Sequence, residues 1–275
     1  VRAGLPLGTI YGLQTDGVYT FSDFVEFEGL TDAQAAAKIR QDALIDNGDG
    51  TFTFENWYSS NIYTLREGVV ENALLAPGTY RPGMQKYVDT NGDGVINADD
   101  RTVIGNTQPD FIGGFTNKFS YKAFDLTVQT TFSYGNDIYN KNIVRGIDTN
   151  TPWANKLEKV NERWSPEDTD NTLPSFNVGA SGIFNSIARD LYIEDGSYLR
   201  IANVTLGYIM PRSIVEGLGL SNVRIYGAVN NLHVFTNYSG WDPDVSVGNN
   251  PLTPGLDADS YPRERSFRLG LDVTF

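Results

Sequence analysis

The segment Ser266-Phe267-Arg268-Leu269-Gly270-Leu271-Asp272-Val273-Thr274-Phe275 alternates without a break. Phe267, Leu269, Leu271, Val273 and Phe275 fall on one side; Ser266, Arg268, Gly270, Asp272 and Thr274 fall on the other. Successive side chains of extended backbone point to opposite faces, so a period of two with one apolar side reads as a strand. Residues 124 to 134 repeat the pattern. Phe124, Leu126, Val128, Thr130, Phe132 and Tyr134 alternate with Asp125, Thr127, Gln129, Thr131 and Ser133. Just before them, residues 111 to 121 carry Phe111, Phe115, Phe119 and Tyr121 on one side. Lys122-Ala123 has the length of a hairpin connection.

Two more strands are expected at about 198–210 and about 223–235. The first has Val204, Leu206, Tyr208 and Met210 on one side. The second begins with Val223, Ile225, Gly227 and Val229, and its phase slips at Asn230-Asn231, where Leu232 and Val234 take over. A bulge would produce that slip. The remaining stretches, 135–195 and 237–265, read as long polar loops. Loops of this length are unusual inside compact domains. In outer-membrane barrels they occur on one side only, with short turns on the other. If residue 275 ends at the periplasm, the connectors 122–123 and 211–222 both fall there, and both long loops fall outside the cell. The expected fold class is therefore all-β: the C-terminal strands of a large antiparallel transmembrane β-barrel with long extracellular loops. Residues 1–110 are expected to form an extracellular loop region, and residues 111–275 the last barrel strands. In the first part, Thr31 caps a helix from Asp32 to about Leu44, with Gln34 completing a capping box.

Composition narrows the class further. The formal net charge of −13 disfavours a nucleic-acid partner, because a phosphate backbone would repel such a surface. There is no Cys, so neither a disulfide framework nor a thiolate zinc site is available. No run of about 18 apolar residues forms a transmembrane helix. The opening Val1-Arg2-Ala3 reads as the interior of a longer precursor.

One motif points to a metal. In Asp89-Thr90-Asn91-Gly92-Asp93-Gly94-Val95-Ile96-Asn97-Ala98-Asp99-Asp100, side-chain oxygens recur at Asp89, Asn91, Asp93, Asn97 and Asp100. Gly94 stands where a calcium loop turns sharply, and Val95 offers its carbonyl. The expected ion is Ca2+. Asp100, where such loops usually carry Glu, has a shorter arm and leaves Mg2+ possible. The simpler alternative is an Asx/Gly turn without metal. Asp46-Asn47-Gly48-Asp49-Gly50 fails the same test, because Ile45 falls at the first position; it reads as a plain turn or a helix end. His233 is the only His, so a Ser-His-Asp triad has no second candidate base, and a structural role suits it better. The pairs Asp242/Asp244 and Asp257/Asp259 read as chance pairings in an acidic chain and not as glycosidase carboxylates. The loop aromatics Trp57, Tyr58, Trp153, Trp164, Tyr238 and Trp241 suit stacking on sugar rings, although packing of the loops or of a partner is the simpler reading; Trp57, Trp153 and Trp164 are the candidates for binding substrate.

The residues around the acidic loop carry a family resemblance. Tyr87-Val88-Asp89 through Gly94, Ile104-Gly105-Asn106, Pro109-Asp110-Phe111 and Gly113-Gly114-Phe115-Thr116-Asn117 resemble the SusC/RagA family of TonB-linked outer-membrane proteins. So do Tyr198-Leu199-Arg200-Ile201, Asn203-Val204-Thr205-Leu206-Gly207-Tyr208, Asn230-Asn231-Leu232, Tyr238-Ser239-Gly240-Trp241-Asp242-Pro243 and the closing strand. The resemblance implies a multi-pass barrel in the bacterial outer membrane, with 22 strands and a plugged lumen. It implies import of oligosaccharides or peptides, driven by TonB through an N-terminal part and assisted by a SusD-like surface lipoprotein, with no enzymatic step. The alternative is a soluble calcium-binding β-domain serving as an adhesin or glycan-binding module. That alternative leaves the lipid-compatible strand faces unexplained.

Overall fold

The computed structural model describes residues 4–54, 63–74, 80–147, 155–175, 188–246 and 253–275. They form two compact units. One comprises residues 4–9, 106–140 and 193–275 of this set; the other comprises 10–105 and 141–192.

The first unit is built on one antiparallel sheet of five long strands. They are β1 (Phe111–Tyr121), β2 (Phe124–Tyr134), β3 (Tyr198–Ile209), β4 (Asn222–Thr236) and β5 (Ser266–Thr274). They pair in the order β5-β4-β3-β2-β1, each beside its predecessor in sequence. The sequence pattern predicts all five, within a residue at each end. The β1–β2 turn places Lys122 at a positive φ of 53°. The β3–β4 connector contains a short helix, Arg212–Val215.

Registers fix the two faces. Phe119, Leu126, Leu206, Gly227 and Leu269 form one row across all five strands, and Asn117, Val128, Val204, Val229 and Phe267 form the next. On the opposite face, Lys118, Thr127, Thr205, Ala228 and Arg268 share a row, as do Thr116, Gln129, Asn203, Asn230 and Ser266.

The bulge lies where the sequence pattern breaks, yet its effect differs from the expectation. Ala202 is extra on β3 relative to β2, since Gln129 pairs with Asn203 and Thr130 with Ile201. Opposite Ala202, β4 carries both Asn231 and Leu232, because Asn203 pairs with Asn230 and Ile201 with His233. Relative to β2, β4 thus gains two residues, and two insertions restore a period of two. The apolar face continues through His233 and Phe235, whose rings meet edge to face at 4.4 Å, and not through Leu232 and Val234.

The second unit has a true core: Leu13, Tyr19, Phe21, Phe24, Phe27, Ile39, Tyr63, Met84, Ile96 and Trp164 are buried together. Helix α1 (Asp32–Asp42) lays Ala35, Ala36 and Ile39 on it. Thr31 and Gln34 form the expected reciprocal cap. The chain then turns into a hairpin, Leu44–Asp46 with Phe52–Phe54, so the helix stops short of Leu44. Asp46 and Asp49 accept the amides of Gly48 and Thr51, the plain Asx turn expected there.

The division at residue 110 needs correction, since residues 4–9 and 106–110 fall with the long strands, and so does the reading of 135–195 as a continuous loop. Asp137–Asn140 and Ile193–Asp195 are strands of the first unit, and Lys141–Ile147 is helical. Residues 141–192 belong with 10–105. Trp164 packs on Phe21 at 5.3 Å, and Ala188–Arg189 pairs with the strand Thr9–Leu13. Burial of one large indole and a strand pairing outweigh proximity in sequence.

Candidate functional site

The five-stranded sheet has faces of opposite chemistry. Its apolar face is left bare: Phe119 is 59% exposed, Phe267 74% and Leu269 86%. No water-soluble protein gains by presenting such a continuous surface to solvent, since exposed apolar patches of that extent mark interfaces or membranes. Aromatics gather at both ends of the face. Tyr121, Phe124 and Tyr208 stand at one end, with Phe124 and Tyr208 rings 4.9 Å apart. Phe111 and Tyr134 stack at 6.0 Å at the other, beside Phe115 and Phe132 at 5.9 Å. Leu126, Val128, Val204, Leu206, Val229 and Leu269 lie between. Strands of this length, tilted by about 45°, give an apolar band roughly 25 Å tall, flanked by aromatic girdles as in outer-membrane barrels.

The polar face is cross-linked by side chains. Arg224 donates through Nε and Nη2 to the two oxygens of Asp125, at 2.9 and 2.6 Å, and through Nη1 to Asp272 at 3.1 Å. The guanidinium lies over the Tyr226 ring at 5.0 Å. Gly207 sits directly across from Asp125, and any Cβ there would strike the Asp125 carboxylate and the Arg224 guanidinium. Asn203 donates to Asn230 at 2.7 Å, and Asn230 to Ser266 at 3.1 Å. The three β-strands β3, β4 and β5 are thus joined by polar links on the side away from the apolar band.

The acidic loop of the second unit is organised by its own amides. Asp89 accepts Gly92 N–H at 2.7 Å and Gly94 N–H at 2.8 Å. Asn91 accepts from Asp93, Asp93 from Val95 and Asn97 from Asp99. Fully buried Asp100 accepts from Thr90 and Asn97 at 3.0 and 2.7 Å. Gly92 and Gly94 have φ of 76° and 85°, values at which a side chain would be strained. The amide of Gly94, first among the donors, holds the Asp89 carboxyl below the usual carboxylate range. Among the described residues, no three carboxylate or imidazole groups converge as metal ligands. Each carboxylate oxygen that accepts one N–H still keeps a lone pair for a cation.

The stacking candidates fare differently. Trp57 and Trp153 lie outside the described residues. Trp164 is wholly buried against Phe21, which corrects its assignment: an indole inside the core cannot stack on a substrate. Among the described residues, Trp241, 83% exposed, and Tyr261, 93% exposed, are presented in the segment after β4. Beside Trp241, Asp242 is buried and paired with Arg200.

Comparison with known proteins fits these faces. No family model matches the chain. TonB-dependent receptor P3 of Formosa agariphila is 32% identical over 241 residues, which is 86% of this chain and 23% of that protein. TonB-dependent receptor P26 of the same organism is 35% identical over 199 residues, 70% of this chain and 20% of that protein. TonB-dependent receptor SusC of Bacteroides thetaiotaomicron is 29% identical over 206 residues, 71% and 18% respectively. The chain belongs to the SusC/RagA-type TonB-dependent receptors. It spans between 18% and 23% of the length of these curated relatives. The RagAB peptide importer in its closed-closed state shares the fold, with a TM-score of 0.60 at 18% identity over 97% of this chain and 23% of that one. The open-open state aligns at 0.54. The relatives bear the names of receptors, and the structural neighbour that of a peptide importer. Among its described residues, no helix is long and apolar enough to cross a membrane. A β-barrel receptor crosses with strands.

Proposed function

We propose that this chain is part of a TonB-dependent importer of oligomeric nutrients in the bacterial outer membrane. The observation that supports it most is the two-faced sheet: an aromatic-bordered apolar band on one side and cross-linked polar side chains on the other. In this reading β1–β5 are consecutive wall strands, the apolar face meets lipid and the polar face lines the lumen. The segments 135–195 and 237–265 lie on the extracellular side, beneath a SusD-like lipoprotein that delivers oligosaccharide or peptide. TonB acts through other parts of the receptor. The test is fractionation and uptake. The receptor polypeptide should partition with the outer membrane, require detergent for release, and copurify with a lipoprotein. Deleting it should abolish uptake of one class of labelled oligomer, glycan or peptide. Release by high salt without detergent would favour a soluble calcium-binding β-domain instead.

We propose further that residues 89–100 hold a hard divalent cation through Asp89, Asn91, Asp93, Asn97, Asp100 and the carbonyl of Val95. The donor spacing and the two left-handed glycines support this. Terbium luminescence sensitised by nearby tyrosine should saturate with one ion per chain and be displaced by calcium. Displacement by magnesium at equal concentration would make magnesium the natural ion, and no luminescence would remove the site.

A further inference from the structure

The outer third of β4 can be threaded against β3 in two ways. In the regular way, pairing continues one for one beyond Asn203–Asn230. Ile201 would then meet Leu232, Arg200 would meet His233 and Leu199 would meet Val234. That register satisfies the apolar pattern, because Ile201 and Leu199 share the face of Thr130 and Phe132. In the observed way, Ala202 faces two residues, Ile201 pairs with His233, Arg200 with Val234 and Leu199 with Phe235. The observed register interrupts the ladder, as any bulge does. It holds Asn231 at a positive φ of 50°. It also puts the chain's one imidazole, exposed, onto the apolar face. The apolar pattern alone therefore selects the wrong register.

Arg200 supplies the missing term. Its Nη1 donates to Asn231 Oδ1 at 2.6 Å and to Asp242 Oδ2 at 3.2 Å, and its Nη2 donates to Asp242 Oδ1 at 2.6 Å. Arg200 is 2% exposed and Asp242 6%. The same carboxylate accepts the backbone amides of Asp244 at 3.0 Å and Arg263 at 3.4 Å. Asn231 in turn donates to the Arg263 carbonyl at 2.9 Å. The node therefore joins β3, the bulge and both limbs of the segment 237–265. In the regular register Asn231 would become an ordinary ladder residue opposite Ala202. The start of the following segment would move along the strand by one residue, about 3.3 Å, and Arg200 would face an imidazole. Buried ion pairs add little to net stability, and their best-attested use is to fix a register.

We propose that Arg200 and Asp242 form a register lock. The pair holds β4 in its bulged register against a regular one that the hydrophobic pattern favours, and it couples that choice to the positions of Asp242, Asp244 and Arg263. A one-residue slip exchanges the faces of every side chain beyond it. Breaking the lock therefore turns Leu232 and Val234 outward and Phe235 inward.

The test uses the receptor polypeptide that carries this chain, in its native membrane, with cysteine pairs oxidised by copper phenanthroline. Leu199→Cys with Phe235→Cys reports the bulged register. Leu199→Cys with Val234→Cys reports the regular one, since these two side chains lie on opposite faces in the observed structure. With Arg200 and Asp242 intact, only the first pair should cross-link. With Arg200→Gln or Asp242→Asn, the first cross-link should be lost and the second should appear. Assembly is followed by the heat-modifiable band of a folded barrel. Should the single variants fail to assemble, the exchange Arg200→Asp with Asp242→Arg decides: it should restore both assembly and the first cross-link. Retention of the first cross-link alone in an assembled single variant would overturn the lock, as would an exchange variant that restores neither.

Discussion

Val128 occupies the middle of β2 on the apolar face, in a row with Val204, Val229 and Phe267. Gln129, the next residue, points the other way, in a row with Asn203 and Asn230. If the apolar face meets hydrocarbon, Val128→Arg should destabilise the folded receptor by about 2–4 kcal/mol, the range for a cation near the bilayer midplane. Gln129→Arg should cost far less, because in that orientation its side chain faces away from the hydrocarbon. Denaturant unfolding in lipid vesicles measures both, and equal losses would contradict the orientation. Asp89 offers a pH test outside the wall. Its folded carboxyl is held below its unfolded value, chiefly by the Gly94 amide. The stabilisation is therefore complete above the unfolded pKa of about 3.9 and is lost as the pH falls through the folded value. Exchange protection of the Gly92 and Gly94 amides should hold above that point and collapse below it. Residue identity made the apolar-face position of Val128 and the tight turn at Asp89 legible from sequence, because each sits in a pattern with a fixed spacing. It could not sort the tryptophans. Trp164 is buried by partners as distant in sequence as Phe21, whereas Trp241 is exposed although it adjoins a buried carboxylate.

Elements with strong local signals were readable to within a residue or two. β1 and β2 are bounded by a two-residue turn and carry an uninterrupted alternation. Helix α1 has a capping box at one end. The bulge in β4 was legible as a break in pattern but not in its outcome, since the number of inserted residues depends on Arg200 and Asp242, 42 positions apart. The short elements between residues 135 and 195 were not legible. Strands such as Asp137–Asn140 and Ala188–Arg189 have too few residues to show a period, and they exist only because a distant segment pairs with them. Trp164 lies within this stretch and anchors it. Its replacement by Ala should remove a full indole from the core of the second unit, at a loss of about 3–5 kcal/mol. The expected signature is local: proteolysis should open residues 141–192 and 10–105 together, while the heat-modifiable wall of β1–β5 persists. Opening of 141–192 alone would mean that the segment is not part of that core.

For the molecule as a whole, the five strands raise a closure problem that their own sequence cannot solve. Among the described residues β5 pairs only with β4, and β1 only with β2. Each outer edge presents a row of backbone N–H and C=O groups without partners. In hydrocarbon every such group costs several kcal/mol, which is why spanning sheets close into barrels. The apolar face of β5, with Phe267, Leu269 and Leu271 more than half exposed, argues that this edge lies at membrane depth and not in water, where it could be hydrated. Five strands are also too few to close. With a tilt near 45°, even the smallest membrane barrels need about eight. The edge of β5 must therefore pair with a strand other than β1–β5. The Leu269 row sets the position: a cysteine there should cross-link to one residue of a strand elsewhere in the receptor, and a cysteine at Leu271 to a residue two places away on that same strand. Cross-links from both positions to β1 would instead close the five strands on themselves, and the wall of a large importer would give way to a small self-contained sheet. No cross-link at either position, in a receptor shown to be assembled, would mean that the edge is covered by lipid or partner and that the barrel argument fails at its last strand.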